Sequence, residues 1–275
     1  MKSIKTRDYS VSQEFFTLEY DEEYHLYKTT PLPENLDKYY ESEDYISHTD
    51  ASVSLIDKLY QTVKKIALAT KTKLVVKYAN EDPKVLDIGC GTGSFVQFLN
   101  SNKINAYGIE PSNNARGLAI KKGVSCFKDF NELKDKDFDI ITMWHVLEHV
   151  PNFNTQLKSI KNALNENGKL IVAVPNFESY DAKYYDKFWA AYDVPRHIWH
   201  FSEKAIGKIA QENGFILKKV KPMWFDSFYV SMLSEKYKNR KLNFIKAFSI
   251  GLISNLKAIT NGQFSSKIYI LEQKS

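Results

Sequence analysis

The sequence predicts an α/β fold built on a parallel sheet, and three observations predict it. After Pro83, short apolar runs alternate with amphipathic stretches, the pattern of strands joined by right-handed helical crossovers. Glycine is scarce, 11 in 275 residues, yet Gly89, Gly91 and Gly93 fall within five positions directly after an apolar run. Twenty-one residues beyond Gly89, the run Ala106-Tyr107-Gly108-Ile109 ends at an acidic residue, Glu110. In such a sheet the ligand site lies beyond the carboxyl ends of the strands, near the topological switch point.

The elements follow in order. Residues 1–50 are acidic and tyrosine-rich, with Pro31 and Pro33 punctuating a stretch expected to be irregular. From Ala51 to about Tyr78, Val53, Ile56, Leu59, Tyr60, Val63, Ile66 and Ala67 recur at helical spacing. Residues 1–80 are therefore expected to form an amino-terminal cap, irregular and then helical, and 81–275 the main domain. Expected strands are Val85–Ile88, Asn105–Ile109, Ser125–Phe127, Phe138–Met143 and Lys169–Val174. Residues 175–201, PNFESYDAKYYDKFWAAYDVPRHIWHF, interrupt the alternation. A loop this long is commonly functional, so it is a candidate lid. Ser202 reads as an N-cap with Glu203 in the first turn of a helix to Asn213; Gly214 ends it and Phe215 opens a strand. Lys267–Leu271 could pair with that strand. The apolar stretch Ala247–Leu256, flanked by Lys246 and Lys257, reads as a packed helix.

Composition narrows the class. Charged residues at 26% and hydrophobic residues at 43% exclude wholesale disorder and fibrous chains. Cys90 and Cys126 cannot build a disulfide framework, MKSIKTRDYSVSQEFF lacks a signal-peptide core, and no run approaches ~18 apolar residues. A cytoplasmic protein without a membrane span is expected. Residues 215–275 carry 11 basic and 3 acidic groups, whereas residues 1–50 carry 5 and 12. Because 34 of the 38 basic residues are lysine, and arginine is the better reader of phosphates and bases, the basic end reads as a solvated lysine surface. Nucleic acid is not the expected partner.

The strongest signal is KVLDIGCGTGSF, Lys84–Phe95. Glycines at a strand end let a ligand lie against bare amides at the following helix amino terminus, and Asp87 stands just before the turn. Glu110 is placed to accept hydrogen bonds from both hydroxyls of a ribose. The dinucleotide spacing G-x-G-x-x-G is not met and no Gly-Lys-Ser/Thr loop occurs. What remains suits a nucleoside without a pyrophosphate.

At this point the chain resembles class I S-adenosylmethionine-dependent methyltransferases, through VLDIGCGTGSF, YGIEPS, FKDF, FDIITMWHVLEHV and NGKLIVAVPN in the family's order. The subgroup it resembles is that of the ubiquinone O-methyltransferase-like small-molecule enzymes. The resemblance covers roughly residues 80–220. It implies a doubly wound, Rossmann-like sheet of seven mostly parallel strands whose last two form an antiparallel pair, with a helical amino-terminal cap. It also implies S-adenosyl-L-methionine as cofactor and S-adenosyl-L-homocysteine as product. Asp87, Gly89 and Gly91 would line the methionine part, Glu110 the ribose, Asp129 with Phe130 the adenine, and Trp144 would close over the cofactor; Cys90, Gly93 and Pro111 are also expected among the cofactor-binding residues.

Trp144 is followed by His145-Val146-Leu147-Glu148-His149, which on a helix would put His145, Glu148 and His149 on one face. The spacing matches the H-x-x-E-H of inverted zinc proteases, but it directly follows a strand of the methyltransferase pattern, so that reading fails. Small-RNA 2′-O-methyltransferases and ubiquinone O-methyltransferases carry E-x-x-E-H here and are associated with a divalent metal. This chain has His145 in place of their first glutamate, and no metal ligand is assigned; His197 or His200 would be the residue to complete such a set. His145 or His149 is expected to serve as general base.

Aromatic residues number 9 in residues 1–50 and 14 in residues 175–230. YYESEDYISH and PRHIWHFS resemble segments of the same subgroup. Tyr40, Tyr45, His48, Arg196 and His197 are accordingly expected around the acceptor, with Arg196 holding a carboxylate or phosphate. No cysteine accompanies TLEYDEEYHLYKTTPLP, so the zinc knuckle of some relatives is not expected. The resulting expectation is methyl transfer to a small molecule, most simply to oxygen. The alternatives are a cofactor-binding module without catalysis and an RNA methyltransferase.

Overall fold

The computed structural model describes residues 3–40, 55–133 and 136–274. Eleven strands among them form two sheets. The first takes β1 (Ser3–Arg7), β2 (Phe15–Asp21), β3 (Leu26–Thr30) and β9 (Trp199–His200) in that order. The second comprises β4 (Lys84–Ile88), β5 (Asn105–Ile109), β6 (Cys126–Phe127), β7 (Phe138–Trp144), β8 (Leu164–Pro175), β10 (Phe215–Pro222) and β11 (Ser266–Gln273). Its order is β10-β11-β8-β7-β4-β5-β6, mostly parallel with an antiparallel last pair. The α-helices are α1 (Leu55–Tyr78), α2 (Ser94–Ser101), α3 (Asn113–Lys121), α4 (Phe153–Ala163), α5 (Tyr180–Tyr185), α6 (Glu203–Glu212), α7 (Asp226–Asn239) and α8 (Phe244–Asn261).

The chain divides into two compact units. One holds residues 55–144, Asn154–Ile171 and the chain from Ile270; the other holds the described residues up to Tyr40, His145–Phe153 and Val172–Tyr269. In the first, Val85 pairs with Ala106 on one side and Ile140 on the other, all in parallel register. Val85, Leu86, Ile140 and Ile141 are buried, as continuous apolar runs on a sheet covered on both faces require. Ile88 and Ile109 stand side by side, so Gly89 and Glu110 leave the sheet at the same edge.

The second unit departs from expectation. Residues 3–30, expected to be irregular, form a three-stranded antiparallel meander with Ile4 opposite Leu18 and Tyr20 opposite Tyr27. FFTLEYD alternates, with Phe16 and Leu18 buried and Phe15 and Glu19 exposed; the abundance of acidic residues masks this period-two signal. The expected helix is present as α1, but it belongs to the first unit and not with the amino-terminal strands. The aromatic stretch 175–201 is packed interior and not a loose lid: Tyr185, Trp189 and Tyr192 join Phe16, Leu18 and Tyr39 in one core. Its end supplies β9, which pairs with β3 through Tyr27 and His200. Asp181, fully buried, accepts from Trp189 Nε1 (2.8 Å), Ser265 Oγ (2.7 Å) and Ser254 Oγ (2.6 Å), fixing α8 by its polar side.

Arg196 serves this packing. Only 2% of its surface is exposed. Its guanidinium donates to Asp193 Oδ2 (3.0 Å), Asp193 Oδ1 (2.6 Å), Asp8 Oδ1 (3.2 Å) and the Tyr39 carbonyl (2.8 Å), and also to Ser10 Oγ. The expected role in holding an acceptor's anionic group is corrected accordingly: two carboxylates of its own chain already claim the fork. Removing one member of a buried ion network strands the others. Arg196→Met should therefore lower the unfolding free energy by about 3 kcal/mol, measured by urea denaturation, whereas Lys28→Met, at an exposed position of β3, should change it little.

Candidate functional site

At the edge where β4 and β5 end, Gly89, Gly91 and Gly93 have φ of 67°, 55° and 74°. These left-handed values carry a steric cost for residues with a Cβ, which explains the concentration of glycine here. A Cβ on Gly93 would also stand 2.8 Å from Ala119 Cβ. The amides of Gly89 and Cys90 both donate to the Ile109 carbonyl, at 2.7 and 3.1 Å. Glu110 receives the Gly91 amide on Oε2 and the Ser112 amide on Oε1, each at 2.9 Å. Arg116 Nη1 ties down the carbonyls of Glu110 (2.7 Å) and Pro111 (2.9 Å). The loop and its acidic partner are thus one preorganised unit.

Asp87, beneath the loop, is buried and accepts from Thr142 Oγ1 at 2.6 Å; burial pushes its carboxyl up to about 6 despite that bond. Cys90 Sγ lies 3.4 Å from Cys126 Sγ, and this thiol pairing holds the Cys90 proton far above its usual range. Asp129 Oδ1 accepts from the Asn131 amide at 2.8 Å, and Phe130 is half-buried in the turn after β6. Trp144 ends β7, edge-on to Phe95 with ring centroids 5.8 Å apart. Its Nε1 is buried without a partner in the structure, and Lys71 Nζ sits 4.6 Å from its ring centre. Lys71 is a residue that sequence reasoning missed, since only folding brings α1 to this tryptophan.

The histidine segment is built differently from a helix. His145, with φ 56°, turns the chain out of β7, and Leu147–His149 forms a single 3₁₀ turn. His145 Nδ1 lies 3.3 Å from Glu148 Oε1, and its Nε2 lies 3.0 Å from Asp226 Oδ2. Burial alone would lower its pKa, but Asp226 and Glu148 overcome this and raise it to about 10. An imidazolium between two carboxylates has no lone pair to offer, so the base role expected of His145 is corrected. Asp226 carried no sequence signal because it lies 81 residues away on α7.

His149 is the opposite case. Burial, reinforced by His197, pushes it down to about 4. Its Nδ1 lies 3.0 Å from the Arg196 carbonyl and 3.1 Å from Tyr40 Oη. A carbonyl can only accept, so Nδ1 carries the proton and Nε2 the lone pair. His197 Nδ1 likewise faces the Ala191 carbonyl at 2.9 Å. Their rings meet edge to face with centroids 4.6 Å apart. Glu148 is wholly buried and ionised: desolvation opposes its charge, but His145 prevails and lowers its pKa. Its Oε2 has no partner in the structure.

Glu148, His149 and His197 therefore offer three acceptor atoms within 4.8 Å of one another. The sequence assigned no metal ligands, yet a carboxylate and two imidazoles fixed by their far nitrogens fit a divalent cation. Of the two histidines considered for completing the set, His200 is occupied elsewhere, 3.0 Å from Thr29 Oγ1. Tyr45 and His48, expected near the acceptor, lie outside the described residues.

Opposite shifts on neighbouring histidines predict a stability profile. His149, held near 4 against 6.5, makes unfolding easier as pH falls from about 6.5 to 4; His145, held near 10, makes it easier as pH rises from about 6.5 to 10. Denaturant midpoints should accordingly peak near neutrality, and His145→Gln should remove much of the alkaline decline. An unchanged alkaline slope in that variant would contradict the imidazolium assignment.

A methyltransferase-domain family profile matches residues 60–220, more than half of the chain. An uncharacterized protein of Methanocaldococcus jannaschii is 32% identical over 143 residues, 51% of this chain and 59% of that protein. The ubiquinone biosynthesis O-methyltransferase of Glaesserella parasuis is 36% identical over 107 residues, 34% of this chain and 45% of that enzyme. The chain spans about half the length of the curated relatives it matches. Among solved structures, magnesium protoporphyrin IX methyltransferase from Synechocystis PCC 6803 with bound SAH is similar at TM-score 0.55 and 16% identity. The match covers 86% of this chain and 97% of that one. The profile match, with the strand order and glycine turn described above, establishes that the chain belongs to the methyltransferase-domain family.

Proposed function

We propose that the protein transfers a methyl group from S-adenosyl-L-methionine to a small-molecule acceptor, at oxygen. The observation that carries this reading is the three left-handed glycines locked to Glu110 at the ends of adjacent parallel strands. That arrangement offers bare backbone and a ribose-binding carboxylate but lacks the Gly-Lys-Ser/Thr phosphate-binding sequence. The residues present fit the cofactor: the glycine loop leaves room that a side chain would fill, Asp87 sits beneath it, and the unpartnered Trp144 Nε1 is a donor awaiting an acceptor. Bound there, the cofactor would supply a sulfonium-activated methyl group. Asp87 and the loop amides would hold its methionine part, Glu110 its ribose hydroxyls, and Asp129 and Phe130 its base. The protein's remaining task is to align the acceptor and exclude water.

The histidine cluster supports a second component. Three converging acceptors without a shared donor call for a cation, and a divalent ion on Glu148, His149 and His197 would supply positive charge to lower an acceptor hydroxyl's pKa. Tyr40 and the Arg196 carbonyl would orient His149. Ligation and proton removal compete for the same Nε2, so His149 is either ligand or base; the orphaned Glu148 Oε2 favours ligand.

Titration calorimetry should give saturable S-adenosylmethionine binding, abolished by Gly89→Arg and weakened about a hundredfold by Glu110→Ala, which loses two charge-assisted hydrogen bonds. No heat with either S-adenosylmethionine or S-adenosylhomocysteine would end the reading. Metabolite extracts incubated with methyl-labelled cofactor should then yield a labelled small molecule. Cofactor binding without transfer to any fraction would indicate a silent module, and label in RNA a nucleic-acid substrate. Chelation should abolish turnover while leaving cofactor affinity unchanged, with activity restored by a divalent ion; chelator-insensitive turnover would return His149 to the role of base.

A further inference from the structure

Helix α8 is amphipathic with its apolar side outward. The side turned inward is small or polar: Ala247, Gly251, Ser254, Asn255 and Ala258 are buried along with Ile250. A Cβ on Gly251 would stand 2.9 Å from Phe228 Cδ1 and 3.0 Å from the Ser227 carbonyl oxygen, so α8 and α7 pack at close range through that side. Asp181 secures the same side through Ser254. The outer side carries Phe244, Ile245, Phe248, Leu252, Leu256 and Ile259, between 42 and 80% exposed. These recur every three or four residues, which makes one continuous stripe along the helix. Phe228 stacks on Phe248 with centroids 5.0 Å apart, and beside it Tyr229 in the first turn of α7 is exposed, with Trp224 and Phe225 just before the helix. An apolar surface of this extent on a folded chain marks a contact with something else.

Charge identifies the occupant. Between Met223 and Asn261 the acidic residues are Asp226 and Glu235. Asp226 is engaged by His145, and Glu235 is buried with Lys246 Nζ 3.4 Å away. Against them stand Lys236, Lys238, Arg240, Lys241 and Lys257, all exposed, the middle three in or beside the link that joins the two helices. A second copy meeting this face by two-fold symmetry would set the cluster against itself. An anionic bilayer offers both complements at once, an acyl layer for the stripe and headgroup charge for the lysines and arginine. Trp224 and Tyr229, whose rings carry a polar group, suit the depth where ring and headgroup meet. Among the described residues no helix is long and apolar enough to cross a membrane, so the contact is with the surface.

We propose that the α7–α8 face docks the protein on anionic phospholipid membranes, with α8 lying in the plane of the interface. The test is flotation of the full chain with unilamellar vesicles of phosphatidylcholine, with and without phosphatidylglycerol, at low and high salt. The chain should float with the mixed vesicles, less so at high salt, and poorly with phosphatidylcholine alone. The double variant Leu252→Asp/Leu256→Asp, at exposed positions, should reduce partitioning about tenfold or more, and Lys238→Gln/Arg240→Gln/Lys241→Gln should remove its dependence on phosphatidylglycerol. Far-ultraviolet circular dichroism and thermal unfolding of both variants check that the fold is kept. Brominated lipids should quench tryptophan fluorescence, and Trp224→Phe should abolish most of that quenching. Absence of flotation, flotation that neither variant alters, or a dimer in sedimentation equilibrium that the aspartate variant dissociates while vesicles bind nothing, would each overturn the proposal.

Discussion

Glu148 sets the constraint around which its unit is organised. A wholly buried carboxylate is tolerated only where fixed charge and hydrogen bonds replace the water it has lost. Here the replacement begins with His145, whose own charge is sustained by Asp226 on α7. The Glu148 carbonyl receives the Ile198 amide at 2.8 Å, joining the 3₁₀ turn to the segment that ends in β9. That segment in turn carries Arg196, which gathers Asp8 and Asp193, and His197, which turns its Nε2 toward the cluster. One buried charge thus commits α7, the aromatic segment and the amino-terminal strands to positions that would otherwise be independent. The left-handed backbone at His145 is part of that commitment, since it aims the ring back at Glu148 three residues later.

The other unit relies on backbone in place of charge. Its loop is shaped by three glycines whose left-handed conformations disfavour ordinary side chains, and Glu110 is held by the amides of Gly91 and Ser112 before any ligand arrives. Such preorganisation reduces the ordering cost of binding. The covalent chain links the two devices at Trp144 and His145, the last residue of β7 and the first beyond it. The glycine loop and the cluster able to hold a cation are thus built on opposite physical principles, one from absent side chains and the other from buried ones.

The carboxyl-terminal helices follow a third logic. Hydrophobicity ordinarily orients a surface helix with its apolar stripe inward, but α8 is held by small residues and by the Ser254 hydroxyl that reaches Asp181. Close approach at Gly251 and hydrogen bonding to a buried carboxylate outweigh the burial of Phe248 or Leu256, leaving those side chains outside. The sequence shows an apolar stretch with lysines at its ends and reads it as packed. One side of it is.

What could be learned without coordinates was whatever is encoded locally. The parallel core, the glycine turn, the acidic strand end and the N-cap at Ser202 were all legible, because period, spacing and forbidden side chains act between near neighbours. The β-character of FFTLEYD was also present but masked by acidic composition. Partnership across the chain was not legible. Nothing in the order of residues says that Asp226 charges His145, that His197 rather than His200 meets His149, that Arg196 is consumed by Asp8 and Asp193, or which side of α8 faces out. Those outcomes depend on burial and on distances between residues tens to hundreds of positions apart, and both are properties of the packed structure alone.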